Sequence, residues 1–207
     1  MTENVDYFSN HRLKLRFPWS LYHQPILNEL ERALRAPGET VLNLGSGPFF
    51  ELRELPRVDK RFTVCDIDPR AVALARRLHG PAIVRADVVE PDGPLPYGDA
   101  TFDLLVSMDV VEHVPEPLPW LREALRVVKP GGSLFFTTPN YASRSLKILE
   151  STVLEVVARA QGFSRRALHP TKLDSESLTR LFTAAGASDA RVKAIARGWV
   201  LAATVRR

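Results

Sequence analysis

The sequence predicts an α/β fold: an open, doubly wound and mostly parallel sheet of seven strands, with helices on both faces and an antiparallel strand pair at one edge. Short apolar runs alternate with amphipathic stretches between residues 20 and 139, which is typical of βαβ units. Several of these runs are apolar with little alternation, as expected for strands that are covered on both faces. Right-handed crossovers then give an open sheet.

The predicted elements alternate without an internal repeat. They are a helix over residues 20–34, a strand over 40–44, a short helix over 49–55, a strand over 61–66, a helix over 68–80, and strands over 82–87 and 102–108. A helix over 117–129, stopped by Pro130 and Gly131, and a strand over 132–139 follow. Asp68 suits the N-cap of its helix, Pro69 the first helical position and Gly80 the end.

The last third of the chain has a looser pattern. We expect a helix over residues 143–161, a loop over 162–173, and a helix over 174–186 that Asp174 or Ser175 caps and Gly186 ends. Residues 189–207 are expected to form two strands that turn near Arg197 and Gly198. We predict one domain: an arm and helix over the site (1–36), a cofactor-binding core (37–140), an acceptor-side insertion (141–173) and a closing helix with a strand pair (174–207).

Composition and charge narrow the class of protein. With 207 residues, 45% of them hydrophobic, the chain has the size of one globular domain. No run of about 18 apolar residues predicts a membrane span, and the first residues lack the apolar region of a secretory signal. Cys65 is the only cysteine, which fits a reducing cytoplasm. The net charge of +4 is scattered, so a nucleic-acid partner is not predicted.

Polar and glycine residues stand at the carboxyl ends of four predicted strands. Asn43, Gly45 and Gly47 end the first strand, and Asp66 and Asp87 close the second and third. Residues 107–113 follow the fourth. Because ligands of doubly wound sheets bind beyond these ends, near the reversal of strand order, we expect one ligand crevice. A tight turn with helix-capping aspartates is the alternative.

The spacing of these residues favours a nucleoside cofactor without a diphosphate. Asp66 follows Gly45 by about 20 residues, a position from which a carboxylate binds ribose hydroxyls. A dinucleotide fingerprint requires a third glycine at position 50, where this chain has Phe50. Asn43 offers a polar group near an amino-acid moiety, and Asp87 can accept a hydrogen bond from an adenine amino group. These features favour S-adenosylmethionine over NAD.

Six stretches together resemble the motifs of class I S-adenosylmethionine-dependent methyltransferases. They are VLNLGSGP, VCDIDPRAVALAR, RADV, LPYGDATFDLLVSMDVVEHVPEP, LREALRVVKPGGSLFFTTPN and LFTAAGA. The stretches MDVVEHV and TTPN are most similar to the small-molecule group that includes ubiquinone-biosynthesis O-methyltransferases. The resemblance covers residues 38–140 well and 170–190 weakly, and it implies a Rossmann-like methyltransferase fold with S-adenosylmethionine as cofactor.

The resemblance also implies roles for individual residues around the cofactor. Those that meet the methionine moiety are Gly45, Gly47, Ser107 and Met108, those around the adenine are Ile67, Asp87 and Val88, and Asp66 binds the ribose. Three positions depart from the family pattern. Asn43 stands where an acidic residue is usual, Phe49 replaces a frequent third glycine, and Asp68 replaces a common Ser or Asn.

Methyl transfer from a sulfonium is an in-line displacement, so the acceptor atom must be held about 3–3.5 Å from the methyl carbon. A hydroxyl acceptor also needs a base, and we predict His113, just after the fourth strand, for that role. His113 can instead order its own turn or shape the acceptor pocket. Asp109, Glu112 and His113 can alternatively gather a divalent ion, although no resident metal is predicted. His169 lies in a loop that can cover the acceptor.

The sequence thus predicts a methyltransferase for a small-molecule acceptor, at oxygen in preference to nitrogen or carbon. A protein or RNA methyltransferase, and a homologue that binds the cofactor without catalysis, are the alternatives. The acceptor's identity and the oligomeric state are not predicted.

Overall fold

Seven strands form one sheet, which confirms the predicted fold class. The structure, a computed structural model, describes residues 17, 19–56, 58–91, 93–151 and 169–207. The strands are β1 Thr40–Leu44, β2 Arg61–Asp66, β3 Ile83–Val88, β4 Phe102–Met108, β5 Val128–Pro139, β6 Asp189–Ile195 and β7 Val200–Arg206. Their order in the sheet is β3-β2-β1-β4-β5-β7-β6.

The first five strands are parallel, and the order reverses between β1 and β4. In β1, Leu44 pairs with Cys65 of β2 and Asn43 pairs with Val106 of β4. Strand β7 runs antiparallel to both β5 and β6. The predicted antiparallel pair is therefore β6 and β7, and it lies at one edge of the sheet. The reversal puts the carboxyl ends of β1 and β4 next to each other, which is where such sheets bind ligands.

Helices cover both faces of the sheet. They are α1 Ser20–Leu34, α2 Pro69–His79, α3 Pro117–Val127, α4 Arg144–Ser151 and α5 Ser175–Ala185. One core cluster joins the sheet to Leu30 of α1 and Ala75 of α2, and the other joins it to Leu121 of α3 and Leu178 of α5. None of the helices within the described ranges is both long and apolar enough to cross a membrane.

Side-chain caps fix the helix starts that the sequence predicted. The Arg70 N–H donates to the Asp68 carboxylate at 2.8 Å, and Gly80 takes a positive φ of 45° after the last turn of α2. Asp174 and Ser177 form a capping box at the start of α5. Such caps satisfy backbone donors that have no partner inside the helix.

The predicted helix over 49–55 is replaced by a short 3₁₀ helix, Phe50–Arg53. Phe49 precedes it in the left-handed conformation, with φ 54°, and its buried ring packs against Phe62 with 5.4 Å between centroids. A left-handed residue interrupts helical geometry, so an α-helix cannot begin at Phe49. Burial of the ring turns it toward the core.

The predicted helix over 117–129 ends two residues early, at Val127, because Val128 already pairs with Phe102 of β4. Pro130 and Gly131 therefore lie within β5, where the register shifts between Phe102 and Leu104. Only part of the helix predicted over 143–161 is described, as α4. The arm over residues 1–16 and residues 152–168, with most of the predicted loop, lie outside the described residues.

Candidate cofactor and acceptor site

The crevice lies at the point where strand order reverses. The Ser107 hydroxyl of β4 donates to the carbonyl of Leu44 in β1 at 2.8 Å, and this bond is buried. It ties the carboxyl ends of the two strands together directly below the turn that follows β1. Ser107 thus joins the walls of the predicted crevice, and Met108, partly buried, ends β4 beside it.

The two glycines of the turn after β1, Gly45 and Gly47, are required or allowed there for different structural reasons. Gly45 has φ 70°, and a Cβ there would lie 2.5 Å from the Val110 side chain. Because Gly45 has no side chain, Val110 in the segment after β4 can pack directly against its backbone. Gly47 has φ 51°, and the space where its Cβ would lie is open. Of the two, Gly47 is the one whose open side leaves room for a ligand.

Asp66 is held at the rim by two backbone donors. The Gly47 N–H donates to its Oδ2 at 2.7 Å, and the Asp68 N–H donates to its Oδ1 at 2.9 Å. A carboxylate has about four acceptor sites. Asp66 therefore keeps acceptor capacity for two hydroxyl groups while its orientation is fixed by the glycine turn.

Two large apolar side chains are exposed next to this carboxylate. Ile67 is 60% exposed and Val88 is 53% exposed. Val88 pairs with Asp66 in the register of β2 and β3, so both side chains lie beside the carboxylate. Exposed apolar side chains at the rim of a polar crevice offer a binding surface for a flat apolar group such as a base.

Asp87 already has two partners. Its Oδ2 accepts a hydrogen bond from the Tyr97 hydroxyl at 2.9 Å. The same oxygen forms an ion pair with Arg85, whose Nε lies 2.8 Å away. Burial, the nearby Cys65 and the Asp87 carboxylate all raise the pKa of Tyr97, so Tyr97 stays protonated and donates. A hydrogen bond that Asp87 accepts from an adenine must therefore use the acceptor capacity that these two partners leave.

The Asn43 side chain is fully buried, and neither its Nδ2 nor its Oδ1 has a hydrogen-bond partner in the described part of the chain. Buried polar atoms are almost always paired, so an orphaned amide calls for an explanation. Asn43 lies in β1 two residues before Gly45, beneath the glycine turn. A polar ligand group that completes its hydrogen bonds fits this observation.

The acids after β4 are bound by threonines of β5. The Thr137 hydroxyl donates to Asp109 Oδ1 at 3.0 Å, and the Thr138 hydroxyl donates to Glu112 Oε2 at 3.0 Å. Glu112 is 1% exposed. Both carboxylates are thus anchored to the neighbouring strand, and Asp109 is turned toward Thr137.

His113 packs against His169, with 4.7 Å between ring centroids and 77° between ring planes. His169 is 7% exposed, and its Nδ1 is hydrogen-bonded to the Tyr141 hydroxyl. Polar atoms of Glu112, His113 and His169 lie within 4.8 Å of one another, a group that can hold a metal ion or a polar atom. The predicted grouping of Asp109 with Glu112 and His113 is corrected, because His169 takes the place of Asp109.

Comparison with known proteins shows what this chain is similar to. Residues 42–136 match the family model described as a methyltransferase domain. A ubiquinone biosynthesis O-methyltransferase from Xanthomonas campestris pv. campestris (strain B100) is 32% identical over 106 residues, which cover 50% of this chain and 44% of that relative. One from Hydrogenovibrio crunogenus is 27% identical over 142 residues, covering 66% of this chain and 59% of the relative.

Solved structures agree on the fold. A SAM-dependent methyltransferase from Aquifex aeolicus superposes with a TM-score of 0.66 at 18% identity, covering 94% of this chain and 91% of that one. At this identity the likeness establishes the fold alone. The chain spans about half the length of the curated relatives it matches.

Proposed function

We propose that this chain, whose residues 42–136 match a methyltransferase domain, binds S-adenosylmethionine and transfers its methyl group to a hydroxyl oxygen of a small molecule. One observation carries the proposal. The carboxyl ends of β1, β2 and β3 carry an unpaired buried amide, an anchored carboxylate and two exposed apolar side chains around one crevice. An adenosine joined to an amino acid needs these three kinds of partner.

In this proposal Asp66 accepts hydrogen bonds from both ribose hydroxyls, because its carboxylate is already oriented by the Gly47 and Asp68 amides. Ile67 and Val88 contact the faces of the adenine. Asp87 accepts from the adenine amino group with the acceptor capacity that Tyr97 and Arg85 leave.

The methionine moiety lies along the turn after β1 and the end of β4. Asn43 binds its polar end and gains the partners that its buried amide lacks. Gly45 and Gly47 shape the turn that borders it, and Ser107 and Met108 form the opposite wall. The sulfonium supplies an electrophilic methyl group when the cofactor is bound. Asn43 is neutral and stands where an acidic residue is usual in the family that the sequence resembles. Its side chain therefore attracts the positively charged sulfonium less than a carboxylate would.

His113 takes the proton of the acceptor hydroxyl. It is exposed at the end of a 3₁₀ turn, Val111–His113, that directly follows β4. A positioned histidine contributes about 10²- to 10⁴-fold to such a transfer. The matched relatives, which are O-methyltransferases, support oxygen as the accepting atom. Scattered basic residues support a small acceptor over a nucleic acid.

Calorimetry on the full chain tests the cofactor assignment. We expect S-adenosylhomocysteine to bind with a Kd near 1 μM, about −8 kcal/mol, and NAD to give no heat of binding. Asp66→Ala is expected to weaken binding more than tenfold. Asp66→Asn keeps a side-chain oxygen that can accept from the Gly47 amide, so it controls for disruption of the turn after β1. Asp189→Ala, a half-exposed carboxylate of β6, is the matched control. Unchanged affinity in both Asp66 variants contradicts the ribose assignment.

A metabolite extract incubated with the protein and cofactor carrying a deuterated methyl group tests the acceptor class. Mass spectrometry is expected to find the label in a small molecule as an O-methyl group. Label recovered in protein or RNA, or on nitrogen or carbon, contradicts the proposal.

A further inference from the structure

We propose that Glu112, His113 and His169 form a cradle for the acceptor's reacting oxygen, and that His169 is a second histidine in contact with the acceptor. This inference rests on the proposed methyl transfer to a hydroxyl. It concerns three side chains that come from two distant stretches of the chain, the turn after β4 and the segment before α5.

The position of His169 is fixed by the segment that follows it. The Thr171 N–H donates to the Glu112 carbonyl at 3.1 Å, and the Thr171 hydroxyl donates to the Val114 carbonyl at 2.6 Å. The Tyr141 N–H donates to the Leu173 carbonyl at 2.9 Å. These bonds join the segment to the turn that carries Glu112 and His113, so the two histidines are held together by the backbone.

Tyr141 fixes the orientation of the His169 ring. Its hydroxyl is hydrogen-bonded to Nδ1, which leaves Nε2 as the second ring nitrogen. In this proposal the hydroxyl donates to Nδ1, so that His169 carries its proton on Nε2 and donates there. The ring of His169 also packs edge-to-face against His113, with 4.7 Å between centroids.

The spacing of the three polar atoms suits one oxygen atom. These atoms lie at most 4.8 Å apart, so a hydroxyl oxygen centred among them lies within about 2.8 Å of each, a distance at which it can donate one hydrogen bond and accept another. A zinc ion holds its nitrogen and oxygen ligands at about 2.0–2.2 Å, which would draw them to about 3.5 Å of one another. The cradle therefore admits a hydroxyl oxygen, and a Zn²⁺ titration distinguishes this occupant from a metal ion.

The floor of the cradle is buried and one side is open. Glu112 and His169 are buried, and the Glu112 carboxylate is held by the Thr138 hydroxyl. His113 is exposed and forms the open side. An acceptor entering there gives its proton to His113 and receives a hydrogen bond from His169. A remaining lone pair attacks the methyl carbon, the O–C bond forms, and the S–C bond breaks to leave the neutral thioether of S-adenosylhomocysteine.

The cradle is tested by NMR on the full chain saturated with S-adenosylhomocysteine, with phenol as the probe and toluene, which lacks the hydroxyl, as its matched control. The ring signals of His113 and His169 are assigned from His113→Gln and His169→Phe. We expect phenol to shift both signals and toluene to shift neither. His169→Phe keeps an aromatic ring against His113, and we expect it to weaken phenol binding at least fivefold.

His169→Gln retains an N–H donor and is expected to keep phenol binding within twofold of the unmodified chain. Thr183→Ala, on the exposed side of α5, controls for changes in that helix. Equal shifts with phenol and toluene, or none with phenol, overturn the cradle. Stoichiometric Zn²⁺ binding that is lost in His169→Phe and blocks phenol would instead identify a metal site. Failure of S-adenosylhomocysteine to bind at all would contradict the proposed function itself.

Discussion

The cofactor side and the acceptor side of the crevice are built in different ways. On the cofactor side, the Gly47 and Asp68 amides donate to the Asp66 carboxylate, and the bond from Gly47 joins the ends of β1 and β2. On the acceptor side, His113 meets His169 through a segment that docks from beyond β5. Strand register is sufficient to assemble the first side, whereas the second also requires long-range packing.

The two sides also differ in how complete they are. Asn43 is unpaired, and Ile67 and Val88 are exposed, so the cofactor side retains groups that a ligand can satisfy. On the acceptor side Glu112 and His169 already have partners in Thr138 and Tyr141. The proposed acceptor side is therefore held in position by its own contacts, as sites for proton transfer and orientation require.

The largest expected effect comes from the acceptor side. His113→Gln should lower kcat about 10²- to 10⁴-fold, because no other group takes the acceptor's proton. S-adenosylhomocysteine affinity should stay within twofold, since the cofactor side is intact. Turnover and calorimetry on the same preparations check both values. Turnover that survives across the pH range shows that His113 is not the base.

Gly45 tests whether the two sides are independent, because it touches Val110. Gly45→Ala places a Cβ at φ 70° and 2.5 Å from that side chain, and we expect a loss of about 2–4 kcal/mol of unfolding free energy. Urea denaturation of the single variants and of the double variant with Val110→Ala measures the coupling. The double variant should recover the steric part and keep the backbone strain. Strictly additive losses would contradict this contact.

Asp103 lies near the amino ends of β1 and β4, opposite the crevice, and serves as a control site outside both sides of the crevice. The Lys129 ammonium and the Thr40 and Glu39 backbone amides hold the pKa of Asp103 well below its usual range. Because the folded pKa is lowered, its stabilisation is present above about pH 4 and is lost as the pH falls below that value. Asp103→Asn should cost about 1–2 kcal/mol at pH 7 and less at pH 3.

Urea denaturation at both pH values measures that difference, and calorimetry should find cofactor affinity unchanged in Asp103→Asn. An equal loss of stability at pH 7 and pH 3 would show that the carboxylate charge is not what stabilises this edge.

Substitution of Asn43 should give the smallest effects, and they should be opposite in direction: the free protein becomes more stable while ligand affinity falls. Asn43→Leu has a similar volume and removes two unpaired buried polar atoms, so the free protein should gain about 1 kcal/mol of stability. Affinity for S-adenosylhomocysteine should fall severalfold, because the amide's ligand partner is lost. Melting curves with and without that ligand measure both. A variant that is more stable and binds equally well would remove Asn43 from the cofactor site.

The cofactor side could be predicted from the sequence because its signals are local. Strand ends, the glycine turn and the Asp68 cap are each encoded within a few residues, and the register of parallel strands brings them together. The errors arose where packing overrides local preference. Phe49 takes a left-handed conformation to bury its ring, and Val128 joins β5 instead of extending α3.

The acceptor side could be predicted only in part. The position of His113 after β4 is the signal on which its predicted role as the base rests, and that role stays a prediction. No periodicity or motif links it to His169 or Tyr141, because their contacts depend on how the segment before α5 docks on the sheet. Asp109 was placed with Glu112 by sequence proximity, but Thr137 of β5 turns it away.

A crystal structure of the full chain with S-adenosylhomocysteine tests the central claim most directly. We predict that both ribose hydroxyls lie within hydrogen-bond distance of the Asp66 carboxylate, with the adenine between Ile67 and Val88 and the sulfur facing His113. A nucleoside bound at any other edge of the sheet, or a ribose turned away from Asp66, would contradict the account.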